Sequence, residues 1–165
     1  MPVRPAVVSM AGCVAVLAAV AVVPVGAAGK STPRCHASDL AGAIIDEQGA
    51  AGSRDARLVL TNTSRRTCHS KGFIGGQLIG LDDRPLTTRV TRSGAPTRTV
   101  TIKPGAAAAL TIHWNVIPSA NRPCRTARWL MVTPPDETAA VRVYFRSTAC
   151  RGELTVGPLT NPRTV

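Results

Sequence analysis

The chain has 165 residues, a formal net charge of +11, 44% hydrophobic residues and only 3% aromatic residues. This length suits one domain with a substantial core and is too short for two such domains. Only 18% of the residues are charged and apolar residues are plentiful, which argues against wholesale disorder. Three histidines and nine acidic residues leave few possible catalytic or metal-binding constellations.

The first 29 residues have the pattern of a secretory signal peptide. Arg4 is the only charged residue before Lys30, and an apolar run over 6–23 ends in small residues at 26–29. A positive start, an apolar middle and a small-residue exit are the requirements of such a signal. We therefore expect cleavage after one of residues 27 to 29 and a secreted protein, extracellular or in the cell envelope. An uncleaved membrane anchor is the alternative; after cleavage we expect no stable membrane span.

Four cysteines lie outside this segment, and an even number in an oxidising compartment predicts two disulfides. Three pairings are possible, and hairpin register chooses among them, because facing residues in a hairpin have numbers with a constant sum. Strands at 40–46 and 57–62, joined by a flexible connection at 48–53, agree with the sum of 103 that joins Cys35 to Cys68. The facing pairs are then Ile45 with Leu58, Ala43 with Leu60, Ile44 with Val59, and Asp46 with Arg57.

The C-terminal half shows the same agreement. Strands at 127–133 and 140–147 flank a turn at 134–136, and a sum of 274 joins Cys124 to Cys150. The pairs predicted to face the core are Trp129 with Phe145, Met131 with Val143, and Thr133 with Val141. The pairs predicted to face solvent are Arg128 with Arg146, Leu130 with Tyr144, and Val132 with Arg142. A slip of one residue would destroy the match of apolar with apolar residues.

Further strand candidates lie between the two hairpins, at 73–81, 86–92, 98–103 and 108–116. About eight strands with no amphipathic helix predict an all-β, antiparallel β-sandwich. The expected organisation is a signal peptide (1–29), a short N-terminal linker (30–34), a secreted β-sandwich domain (35–157) and a C-terminal tail (158–165).

Several short motifs occur in an order and spacing that resemble one family. They are Leu60-Thr61-Asn62-Thr63-Ser64, Thr67-Cys68, Gly72-Phe73, Val100-Thr101-Ile102-Lys103-Pro104-Gly105, a strand through Trp114, Cys124, Val132-Thr133-Pro134-Pro135 and Cys150. Over about residues 35–157 the chain resembles the actinobacterial secreted family called domain of unknown function 4232. The resemblance implies an immunoglobulin-like sandwich exported by a high-GC actinobacterium. It implies no activity, because the family has none assigned.

Catalytic and metal chemistry find little support in the sequence. Cys35-His36 and Cys68-His69 are adjacent pairs, but a zinc site built from them would need free thiolates, which export disfavours. His113 lies on an alternating strand, and the chain has no Gly-x-Ser-x-Gly segment. We therefore expect no catalytic residue, metal site or cofactor. The alternative is a small exported metal-binding protein or enzyme that uses His36, His69 or His113.

The basic residues carry the strongest functional signal, since 17 of the 20 are arginines. On the predicted hairpin, Arg128, Arg142, Tyr144 and Arg146 share one side, and like charges directly opposite each other destabilise a sheet unless an anion neutralises them. We expect a non-catalytic module that binds an anionic cell-wall polymer, lipid headgroups or an acidic protein through this side. Export argues against nucleic acid as the partner. A solvated arginine surface without a ligand is the simpler alternative. With so few aromatic residues, and both tryptophans predicted inward, a sugar-stacking platform is not expected.

Overall fold

The computed structural model describes residues 1–2, 31–95, 98–118 and 123–161. The predicted signal peptide lies outside these residues except for its first two positions. Within the described ranges the only helical segment is a single 3-10 turn at Ala37–Asp39. No helix in this part of the chain has the length and apolar character needed to cross a bilayer.

The fold is all-β, as predicted, and the described residues form ten strands rather than about eight. In chain order they are β1 (Leu40–Ala50), β2 (Ser53–Asn62), β3 (Cys68–Ser70), β4 (Gly75–Gly80), β5 (Arg89–Arg92), β6 (Val100–Ile102), β7 (Ala107–Asn115), β8 (Cys124–Thr133), β9 (Val141–Cys150) and β10 (Glu153–Val156). The two additional strands, β3 and β10, have three and four residues. They are too short for the alternation of apolar and polar residues to indicate them.

Two principal sheets have the orders β1-β2-β7-β10-β5 and β4-β8-β9, and β3 pairs with β6 separately. The succession β1-β2-β7 against β4-β8-β9 matches strands A, B, E and C, F, G of an immunoglobulin-type sandwich. Pairing is antiparallel between the named strands except for β10 with β5, which is parallel. The rings of Trp114 and Phe145 meet between the sheets with centroids 5.0 Å apart.

The turns follow the residues that their backbone angles require. Ala51 and Gly52 both have positive φ and form a two-residue hairpin turn between β1 and β2. The flexible six-residue connection predicted at 48–53 is therefore wrong, because both strands continue into it. Gly105 has a φ of +74°, and the amide of Ala106 donates to the carbonyl of Lys103, as in a type II turn with Pro104 and Gly105 at its centre.

Both predicted disulfides are present, with S–S distances of 2.03 Å for Cys35–Cys68 and 1.97 Å for Cys124–Cys150. The second joins facing residues of β8 and β9, as expected. The hairpin register that predicted the Cys35–Cys68 disulfide does not apply to it, because Cys35 does not extend the β1–β2 hairpin. It reaches β3 through a parallel bridge between Arg34 and His69, so its agreement with the sum of 103 is a coincidence.

A bulge in β1 changes the register of the first hairpin. Asp46 and Glu47 together oppose the single residue Ala56, and Asp46 has a positive φ. The numbers of facing residues add up to 103 only on the turn side of this bulge. On the other side they add up to 102. The predicted pairs are each wrong by one residue: Leu58 faces Ile44, Leu60 faces Gly42, Val59 faces Ala43 and Arg57 faces Ile45.

A second bulge, in β9, has larger consequences. Phe145 and Arg146 together oppose Arg128. The numbers of facing residues therefore add up to 274 from the disulfide to Ala127, and to 273 beyond it. A slip of one residue exchanges the two faces of a strand. Leu130 and Val132 of β8 are therefore in the core, and the prediction that Trp129, Met131 and Thr133 face inward is wrong. Val141, Val143 and Phe145 of β9 face inward, as predicted.

The segment after β10 is docked up to residue 161 rather than loose. Leu159 is buried in the core with 1% of its surface exposed, and Thr160 exchanges two backbone hydrogen bonds with Ala109 of β7. An apolar side chain at this position closes the end of the sandwich.

Close packing of β1 over β9 predicts that Gly42 cannot be enlarged. A Cβ atom at this position would clash with Cγ2 of Val143. We expect Gly42→Ala to lower the free energy of unfolding by about 1 to 3 kcal/mol, because overpacking forces neighbouring groups to shift. Urea unfolding with both disulfides intact measures this. The cost should shrink when Val143→Ala is combined with it, and an unchanged cost in the double variant would contradict the contact.

Each disulfide closes a loop of moderate length, with sequence separations of 33 and 26 residues. On the chain-entropy model, each contributes about 3 to 4 kcal/mol to stability. We expect the Cys124→Ala/Cys150→Ala variant to unfold at correspondingly lower urea concentration. An unfolding midpoint equal to that of the oxidised protein would contradict this expectation.

Candidate functional site

Arg128, Arg142, Tyr144 and Arg146 lie together around the β9 bulge, and we call these four residues the arginine face. Arg142 and Tyr144 alternate with the buried residues of β9 and point to solvent, with Tyr144 54% exposed. Nη1 of Arg146 lies 3.4 Å from the hydroxyl of Tyr144. The structure thus brings together the four side chains that the sequence predicted to share one side, although not by the predicted pairing.

Trp129 is the residue of this surface that the sequence analysis missed. The register slip turns it outward, where the guanidinium carbon of Arg142 lies 3.9 Å from the centre of its ring. The ring of Tyr144 packs edge-on against Trp129, with centroids 5.4 Å apart. A planar guanidinium on an aromatic face is held by cation–π attraction, so Arg142 has a defined position. Trp114 is buried, as predicted.

Asp83 organises the two other guanidinium contacts of this surface. It lies in the turn after β4 with a φ of +58°, and its carboxylate is 3.6 Å from Nη1 of Arg128 and 3.4 Å from Nη2 of Arg142. All three side chains are about half exposed, so each contact contributes little to stability. Asp83 pairs with two of the three arginines, so this surface keeps an excess of positive charge.

This geometry suits the binding of oxyanions. Guanidinium groups present parallel N–H donors that match both oxygens of a carboxylate or phosphate. Because Arg142 is already oriented by Trp129 and Asp83, less side-chain freedom is lost when it binds an anion. The exposed ring of Tyr144 adds a surface on which an apolar face of a sugar or another ring can lie. The argument against a sugar-stacking platform assumed that both tryptophans face inward, and that assumption is wrong for Trp129.

The three histidines bind separate partners. Nδ1 of His36 lies 2.7 Å from Glu137, Nδ1 of His69 lies 2.8 Å from the carbonyl of Thr32, and Nδ1 of His113 lies 2.9 Å from Asp55. Across the part of the chain that the structure describes, no three His, Cys, Asp or Glu side chains are grouped in a way that could hold a metal ion.

A buried polar cluster beside the Cys35–Cys68 disulfide has a structural role. Oδ2 of Asp39 accepts hydrogen bonds from Arg66 and from the backbone amide of His36, each 2.9 Å long. The bond from Arg66 keeps the pKa of Asp39 below its usual value. Asn62, which is fully buried, donates to the carbonyls of Arg66 and Ile102. These bonds satisfy the polar groups where β2 ends and tie them to the strand pair β3–β6.

The stacking of Arg142 on Trp129 can be tested by a double-mutant cycle with Arg142→Leu and Trp129→Leu. We expect a coupling energy of about 0.5 to 2 kcal/mol, since the pair is partly shielded from water. Urea unfolding of the four proteins gives this value. Arg142→Leu combined with Asp83→Asn serves as the control cycle for the ion pair and should give less than about 1 kcal/mol. A coupling near zero for the tryptophan cycle would show that the two side chains do not interact in solution.

Comparison with known proteins identifies a family but no characterised relative. The family model described as a domain of unknown function (DUF4232) matches residues 35–160. No curated protein matches the chain, and no solved structure does. The match spans both disulfides, the two principal sheets and the docked residues Leu159 and Thr160. The chain therefore belongs to the DUF4232 family.

Proposed function

We propose that this protein is a non-catalytic module of the bacterial cell envelope, exported from an actinobacterium, that binds an anionic cell-wall polymer through the arginine face. Two features support export, the signal-like residues 1–29 and the two disulfides, and the arginine-rich composition fits a high-GC actinobacterium. Disulfides persist in oxidising compartments outside the cytoplasm. The family to which the chain belongs has no assigned activity.

One observation carries the binding proposal: Arg128 and Arg142 converge on a single carboxylate, Asp83, while Arg146 contacts the neutral hydroxyl of Tyr144. The excess positive charge lies on side chains that an aromatic ring, a turn and a bulge hold in place. Such a surface attracts polyanions and pairs with their oxyanions without a large ordering cost.

A polymer suits this surface better than the two other partners considered. The guanidiniums follow the β8–β9 pair, as the repeated charges of a polyanion would. Insertion into lipid requires a broad apolar surface beside the cations, whereas here the arginines are flanked by Tyr144 and by the half-buried ring of Trp129. Binding to an acidic protein and binding to anionic phospholipid are the competing results that the experiment below distinguishes.

Retention on the cell wall of the source organism, and on beads that carry polygalacturonate or polyphosphate, tests the proposal directly. We expect retention in low salt and release by about 0.5 M NaCl, where the Debye length falls to about 4 Å. Arg128→Gln/Arg142→Gln should weaken retention about tenfold or more, because each lost charged hydrogen bond contributes substantially. Asp83→Asn should strengthen it, since two guanidiniums lose their internal partner.

The matched control is Arg89→Gln/Arg98→Gln, which removes the same charge from exposed arginines outside β8 and β9. We expect this variant to be retained nearly as well as the unaltered protein. Equal losses in the two double variants would show that net charge, and not the arginine face, governs retention. Retention that does not change with salt concentration would overturn the polymer proposal. Binding only to vesicles of anionic phospholipid, or only to an acidic protein, would overturn it as well.

A further inference from the structure

A cleft of about 490 Å³ opens at the end of the sandwich where the bulges of β1 and β9 approach each other. Its volume falls within the range of sites for small molecules. Arg54 of β2, Val116 and Arg146 of β9 are among the residues that line it. The cleft is distinct from the arginine face, and the two surfaces share only Arg146.

Arg54 occupies a position where strand alternation would place a core residue. It continues the inward row of Leu60, Leu58 and Ala56 and faces Trp114 across the ladder, but its side chain is 44% exposed. On β1 it faces Gly49, where an added Cβ would lie only 2.6 Å from Nη1 of Arg54. The missing side chain at Gly49 lets the guanidinium lie across β1 at the mouth of the cleft.

Hydroxyl groups line the side formed by β8 and β9. Ser147 accepts a hydrogen bond from Nε1 of Trp114 at 3.0 Å, which leaves its own O–H able to donate. The hydroxyls of Thr126 and Thr148 are 3.0 Å apart, so one of the two protons remains for another partner. The bulge at Arg146, whose φ is +31°, turns the strand so that this residue and the two following it line the same cleft.

Among the described residues that line the cleft, Glu47 is the only one with a negative charge. Its carboxylate lies 3.8 Å from Nε of Arg54, and both side chains are more than 40% exposed. With two arginines and one glutamate, the described part of the lining has a net charge of +1. Glu47 positions Arg54 in the free protein and competes with any entering anion for it.

We propose that this cleft binds an acidic sugar unit: a hydroxylated ring that carries one carboxylate or phosphate. The oxyanion lies between the guanidiniums of Arg54 and Arg146, and the ring hydroxyls pair with Ser147 and the Thr126–Thr148 pair. A carboxylate and a phosphate present similar acceptor oxygens to a guanidinium group. Titration with one sugar acid of each kind therefore distinguishes them. This site goes beyond the proposed function and does not require it, because it is built around Arg54 and the hydroxyls.

The test is a titration of the purified, oxidised protein with glucuronate, with glucose 6-phosphate and with neutral glucose, followed by NMR. We expect at least one acid to shift the backbone resonances of Ser147 and Thr148 and to bind at least about tenfold tighter than glucose, since a charged hydrogen bond strengthens binding by that amount or more. Which acid binds tighter identifies a carboxylate or a phosphate source. Titration to about 10 mM fills even a site of millimolar affinity.

Variants separate this cleft from other basic surfaces. Arg54→Gln, and Arg146→Asn, which tolerates the positive φ, should each weaken binding of the acid about tenfold. Glu47→Gln should strengthen it about two- to fivefold, because an exposed like charge is removed. The matched control is Arg57→Gln on the same strand, whose side chain pairs with Asp46 at 3.3 Å and does not line the cleft. It should bind as the unaltered protein does.

Three results would overturn the proposal: no shift with either acid up to that concentration, equal binding of glucose, or equal losses in Arg54→Gln and Arg57→Gln. Unchanged urea unfolding of Arg54→Gln ensures that a loss of binding is not a loss of folding. Arg142→Gln distinguishes the two proposals, since it should reduce polymer retention and leave the acid titration unchanged. Failure of either experiment therefore does not imply failure of the other.

Discussion

The arrangement of this domain depends on one backbone irregularity, the extra residue of β9 at Phe145–Arg146 opposite Arg128. Side chains alternate across a sheet with a period of two, so one unpaired residue in β9 shifts the pairing and exchanges the faces of the β8 residues beyond it. On the far side of the bulge Leu130 and Val132 fill the core. Trp129 is displaced to the outer surface, where it supports Arg142.

The two ends of the β8–β9 pair are fixed by different forces. The disulfide Cys124–Cys150 holds the register on one side of the bulge, and burial of the aliphatic residues holds it on the other. The bulge reconciles two registers that a regular ladder could not satisfy together. The same device in β1, at Asp46–Glu47, lies at the same end of the sandwich and contributes to the cleft.

Arg146 connects the two surfaces that the bulge creates. Its guanidinium reaches the hydroxyl of Tyr144 on the arginine face, and the same residue lines the cleft beside Ser147. Ser147 in turn accepts the indole proton of the buried Trp114. A polar link thus runs from the outer surface of the smaller sheet to the core of the larger one, with the irregular backbone of β9 as its middle part.

The sequence by itself determined the all-β class, the presence of two disulfides, the pairing of Cys124 with Cys150, the turn between β8 and β9, and the identity of the residues on the arginine face, because alternation, cysteine number and turn residues are local signals. It also indicated that Trp114 faces inward. Only the tertiary structure decided the register beyond each bulge, the short strands β3 and β10, and the place of Arg54 at an inward position. Here a bulge lies where the disulfide and core packing favour different registers of the same strand pair. The sequence of one segment does not show this difference, because it depends on contacts with other segments. The outward position of Trp129 and the cleft follow from it, since both depend on contacts between residues far apart in the chain.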